Sequence, residues 1–135
     1  MAQKKSSLKL LNVLLWVAQL LLAVSLIWAA AMKLFQPAGT LARMWPWTAD
    51  YPFLVMLTGI VDLTGGIGLV LPAWRRISPK LTVFAAIGTL TLMITAIVFH
   101  ISRNEASQTG INIFFAALAI FIVWGRTVKV PVRNR

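Results

Sequence analysis

Four long apolar stretches constrain this chain more than any other feature. They cover residues 10–32, 53–71, 81–101 and 109–125, and the one carboxylate inside any of them is Asp62. A bilayer core about 30 Å thick is crossed by about 20 helical residues. The stretches do not alternate in polarity, and backbone groups in lipid must pair within their own segment, so helices are expected over strands. The expected fold is all-α: an integral membrane antiparallel four-helix bundle, forming one transmembrane domain over residues 1–135. Residues 33–52, with Pro37, Pro46 and Pro52, connect the first two spans as an amphipathic segment lying on the bilayer surface over the bundle mouth. The first stretch follows Lys4, Lys5 and Lys9 as a signal peptide would, but it exceeds the usual 7–15-residue apolar region and is read as a retained span.

The net charge of +10 would suggest nucleic acid for a soluble chain. With 59% hydrophobic and 12% charged residues, a water-soluble globule and a nucleic-acid partner are both disfavoured. The charge is better read as topology. Lys4, Lys5, Lys9, Arg75, Arg76, Lys80, Arg126, Lys129, Arg133 and Arg135 fall on one side of the four spans; Lys33, Arg43 and Arg103 fall on the other. The positive-inside rule then places both termini in the cytoplasm, as expected for a multi-pass protein of the cell inner membrane. Trp28, Trp45, Trp47 and Tyr51 near the outer boundary, and Trp74 and Trp124 near the inner one, match an aromatic belt.

Asp62 is the strongest functional signal. A charge within a span is costly and normally faces the bundle interior. Gly59, Gly65 and Gly66 lie three or four residues from it and form a close-packing face. Depth counted from the inner ends of the apolar runs puts Gln19, Asp62 and Thr91 in one polar layer. Asp62 is therefore a candidate ligand group or proton carrier, or the ion-pair partner of Lys33. At the outer end Lys33, His100, Arg103, Glu105 and Asn112 gather into a rim suited to an amphipathic head group. The candidate ligand-binding set is thus Asp62, Gln19, Lys33, His100, Asn112 and Thr91. No catalytic constellation stands out. The absence of Cys excludes disulfide and thiolate chemistry, and a single His argues against a resident metal.

The order and spacing of several short motifs resemble the DoxX family, in particular its DoxX-like branch of small four-helix membrane proteins. The likeness runs from about Leu14 to Arg126. It includes Met32-Lys33-Leu34-Phe35-Gln36-Pro37, Pro46-Trp47, Gly59-Ile60-Val61-Asp62-Leu63, Gly65, Gly68-Leu69 and Leu71-Pro72. Arg76, Pro79, Leu81-Thr82, Phe99-His100, Arg103, Glu105, Asn112 and Gly125-Arg126 complete it. The family usually carries Glu where this chain has Asp62. The resemblance implies a transmembrane four-helix bundle. Some relatives are small subunits of a thiosulfate:quinone oxidoreductase, others are linked to oxidative-stress systems, and most have no established activity. Three functions follow as expectations. One is binding of a small hydrophobic quinone- or lipid-like ligand, or of a membrane redox partner, without catalysis by this chain alone. The second is a proton-coupled small transporter using Asp62, and the third a membrane subunit of a quinone-linked oxidoreductase. No cofactor is expected beyond such a quinone or lipid. Membrane lipid is the expected partner, and a homo-oligomer is compatible with the glycine stripes.

Overall fold

The computed structural model describes residues 2–135. Four helices are long and apolar enough to cross a membrane, and among the described residues there is no strand. They are α1 (Ala2–Phe35), α3 (Pro52–Arg75), α4 (Lys80–Ser102) and α5 (Gly110–Trp124), the last extended by a widened π turn over Gly125–Lys129. The short helix α2 (Ala38–Met44) and a 3-10 turn (Pro46–Ala49) lie between α1 and α3.

The helices reach beyond the apolar runs that mark them. α1 has 34 residues, roughly 51 Å of helix. Its basic first turns therefore extend the helix beyond what the bilayer core requires, and Lys33 belongs to its last turn. Pro72 sits inside α3, which continues to Arg75, so the α3–α4 turn is shorter than the proline-bounded segment 72–79 suggests. Arg76 caps α3 in the left-handed conformation (φ 57°). The segment 33–52 contains a short helix, α2, followed by the turn that carries Trp47.

α1 packs chiefly on α3, α3 on α4, and α4 on α5, each pair antiparallel, so both termini lie at one face. The opposite face is called distal below. Outward-facing residues such as Leu10, Val17, Val24, Ile60, Phe84, Ile94 and Ile120 are exposed and apolar, as lipid contact requires. Lipid tails are as apolar as leucine, so burial alone gives the helices little reason to associate; close backbone approach and polar links between helices must do so. Gly66 illustrates the first: a Cβ there would lie 2.6 Å from Ile27 Cγ1 and 3.0 Å from the Ala23 carbonyl. Gly59 lies against Lys33 and Leu34, while Gly65 faces Thr89 and Leu26. The core behind these contacts is small and aliphatic, with Ala18, Leu22, Ala23, Leu26, Leu69, Ala86, Ala119 and Ile122 buried.

α1 and α5 meet less extensively. Near the termini face Gly125 is in tight contact with Leu15. Toward the distal face, residues of both helices line a cavity.

Candidate functional site

Gly59, Asp62 and Gly66 lie on the face of α3 that meets α1, because residues three and seven apart share a helix face. The small Gly59 lets the last turn of α1 close in, with Lys33 Cβ 3.2 Å from where a side chain would start. Lys33 Nζ then donates to Asp62 Oδ2 at 2.7 Å. The two side chains are 13% and 3% exposed, so this is a buried ion pair with no net charge. Asp62 lies ten residues from Pro52 and thirteen from Arg75, in the distal half of its helix.

Trp45 and Trp47 stand over the pair. Lys33 Nζ is 5.9 Å and 5.8 Å from their ring centroids, within cation–π range. Trp28 meets Trp45 edge to face, and Trp47 meets Phe99 likewise. These tryptophans roof a cavity of about 620 Å³ to which α1, α3, α4, α5 and the segment between α1 and α3 all contribute. Its apolar walls include Leu26, Leu54, Met93, Phe99 and Phe115. Its polar groups are Lys33, Asp62, His100, Asn112, Gln108, Ser25, Thr58 and Thr95. Ser25, Thr58 and Thr95 already donate to carbonyls of their own helices. The Asn112 and Gln108 side chains also line the cavity.

An ionic rim holds the roof in place. A carboxylate can only accept, so His100 Nδ1–H donates to Glu105 Oε2, at 2.8 Å. Arg103 Nε donates to Glu105 Oε1 and Arg103 Nη2 to Asp50 Oδ2, each at 3.0 Å. The Arg103 guanidinium also lies over the Tyr51 and Phe99 rings. These contacts join the α4–α5 loop to the segment that carries Trp45 and Trp47. The His100 hydrogen bond, aided by Arg103, holds the Glu105 carboxyl below its ordinary range against the opposing effect of desolvation. Asp50 first, and Glu105 second, raise the already high pKa of Arg103.

Lys33, Asp62, His100 and Asn112 thus come together at one cavity, with Gly59 behind the ion pair. Gln19 and Thr91 do not join them. Gln19 is fully buried, but its amide donates to Leu69 O and accepts from Arg126 Nε, both at 2.7 Å. Leu69 is seven residues from Asp62, roughly 10 Å along the helix. The single polar layer of Gln19, Asp62 and Thr91 is therefore corrected to two separate levels: Gln19 lies level with Leu69, so the inner ends of the two apolar runs, Leu10 and Leu71, are not level and depths counted from them do not compare. Thr91 is exposed and bonds back to Ile87 O; its near neighbour Thr89 is buried and faces Gly65.

Arg126 is the residue that charge counting misplaces. It is only 4% exposed, turned into the bundle by the π turn, and its Nη1 donates to Asn12 Oδ1 at 2.7 Å and Val130 O at 3.0 Å. The signal for it was the polar pair Asn12 and Gln19, seven residues apart on one face of α1. Among the described residues no group of three or more His, Asp or Glu could hold a metal ion.

Among curated proteins and solved structures, nothing matches the chain. A family model, for the DoxX-like family, matches residues 17–122. That range takes in α3, α4, most of the apolar stretches of α1 and α5, the Lys33–Asp62 pair and the rim, and stops short of Arg126. The chain belongs to the DoxX-like family.

Proposed function

We propose that this DoxX-like membrane protein binds a small hydrophobic molecule with a polar head, quinone-like or lipid-like, in the distal cavity. The observation that carries this reading is a cavity of about 620 Å³ whose only formally charged lining groups are the Lys33–Asp62 pair. Ligand pockets are typically about 300–1,000 Å³, mostly apolar, with a few convergent polar groups. An ammonium has three donors, and one is used on Asp62, which leaves Lys33 able to donate to a carbonyl. Asp62 Oδ1 can accept from a hydroxyl. The pair thus suits both the carbonyl and the hydroxyl form of a quinone head, while the aromatic walls suit its ring.

A transporter would require Asp62 to gain and lose a proton. The Lys33 contact gives that carboxylate a standing cation in place of a proton, which favours ligand holding over proton carriage. A role as the membrane subunit of a quinone-linked oxidoreductase is compatible with the same pocket, with the redox centre on a partner.

Quinones quench tryptophan, and Trp45 and Trp47 face the cavity. A short-chain ubiquinone titrated into the detergent-solubilised protein is expected to give saturable quenching. The double variant Lys33→Met/Asp62→Asn is expected to weaken binding at least about tenfold, through loss of charge-assisted hydrogen bonds. Linear, non-saturable quenching, equal in both proteins, would sink the proposal.

We also read both termini as cytoplasmic and the membrane as the cell inner membrane. With Arg126 buried, nine basic residues remain at the termini face against Lys33, Arg43 and Arg103 toward the other. Single cysteines at Gln3 and Ser107 of this cysteine-free chain are expected to react with an impermeant maleimide in spheroplasts only at Ser107. Labelling at Gln3 would reverse the orientation.

A further inference from the structure

The structure assigns a second binding site, at the termini face, for a phosphate group held by Arg126 and Thr82. Among the described residues Arg126 is a buried cation with no carboxylate partner. The guanidinium lies over the Trp16 ring at 5.5 Å, Nε and Nη1 reach only neutral acceptors, on Gln19, Asn12 and Val130, and Nη2 is buried with no hydrogen-bond partner among the described residues. The chain has three Asp and Glu residues in total. Asp62 is paired with Lys33, while Asp50 and Glu105 belong to the distal rim, so none is left for Arg126. A buried charge with an unmet donor is expensive, and an anion from outside the chain would resolve it.

Thr82 gives an independent indication. Thr89, Thr91 and Thr95 of the same helix all donate back to the carbonyl four residues earlier. Thr82 lies in the first turn of α4, where the residue four before it is Ser78, outside the helix. Its hydroxyl is buried and has no partner. Arg126 and Thr82, which carry the two orphaned polar atoms, line one recess of about 340 Å³. Lys80 adds a second cation, and Val83, Phe84 and Pro131 make the remaining wall apolar. A guanidinium, a hydroxyl and an ammonium around one recess match a phosphate, and the apolar wall would accommodate a chain attached to it. The C-terminal residues cover this region, held by Arg76 Nε donating to Arg133 O and by Arg135 N–H donating to Arg76 O. The recess shares no lining residue with the distal cavity, so the site is separate from that cavity and from the function proposed for it.

Three probes separate the sources of the phosphate: dioctanoyl phosphatidylglycerol, inorganic phosphate, and dioctanoylglycerol, which has the chains without the phosphate. Each is titrated into the delipidated full chain in neutral detergent, with melting temperature and native mass spectrometry as readouts. At least one phosphate-bearing probe is expected to bind and raise the melting temperature, and dioctanoylglycerol is not. Tighter binding of the lipid identifies a headgroup site; equal or tighter binding of inorganic phosphate identifies a free-anion site. Arg126→Met risks losing the fold, so Thr82→Val is the deciding variant. It is expected to melt at or above the wild-type temperature, because a buried unpaired hydroxyl is removed, and to bind the probe about tenfold more weakly. Binding of neither phosphate probe, equal binding of dioctanoylglycerol, or undiminished affinity in Thr82→Val would each overturn the assignment.

Discussion

Lys33→Met is expected to destabilise the bundle by about 3–5 kcal/mol, because it leaves Asp62 charged, buried and unpaired. Asp62→Asn is expected to cost less. The charge left unpaired there is Lys33, whose side chain is 13% exposed and still has the Trp45 and Trp47 rings above it. The double variant Lys33→Met/Asp62→Asn is expected to recover most of the stability lost in Lys33→Met. Desolvating two charges is costly, and removing both together removes that cost along with the attraction. A double-mutant cycle on reversible unfolding in micelles reads the coupling directly. Additive losses, with the double variant the least stable, would mean that the two side chains do not interact. The recovery matters for function as well, since a folded protein without the pair lets ligand binding be measured apart from folding.

How far the sequence reveals this arrangement differs from residue to residue. Span number and the all-α class follow from run length alone, since lipid leaves a long apolar segment few alternatives. Lys33 and Asp62 could be matched because a span places them near the same level and a buried carboxylate needs a cation. Thr91 could not be rejected by pattern. α4 is apolar on every side, so hydrophobic periodicity does not say which of its threonines turns inward. His100 offered a fixed point: eleven residues, three full turns, separate it from Thr89, and Met93 and Thr82 lie on the same buried stripe. Arg126 was harder still. Its burial depends on a π turn and on acceptors more than a hundred residues earlier, and a basic residue after the last apolar run ordinarily remains in water. The rim was legible as a cluster, but its role of anchoring the tryptophan roof depends on Asp50, which joins Arg103 from the far end of the surface segment.

Gly66→Val is expected to separate α1 from α3 and to be among the most damaging single substitutions in the chain, costing about 3 kcal/mol or more through overpacking. The added Cβ would lie 2.6 Å from Ile27 Cγ1 and 3.0 Å from the Ala23 carbonyl, and a backbone carbonyl within a helix cannot rotate away as a side chain can. Gly66 also lies between two polar links of the same helix pair, Lys33–Asp62 toward the distal face and Gln19–Leu69 toward the other, each at 2.7 Å. A shift of α1 by even half an ångström lengthens both, and hydrogen bonds weaken with distance in a way that dispersion at a lipid-exposed surface does not replace. Gly88→Ala is the matched control. Nothing lies within 4 Å of a Cβ at Gly88, so the substitution gains helix propensity without a clash. Thermal unfolding in micelles should therefore move in opposite directions for the two variants. If Gly66→Val melts with the wild type, then close approach at this position is not what holds α1 to α3, and the polar links alone must carry the pairing.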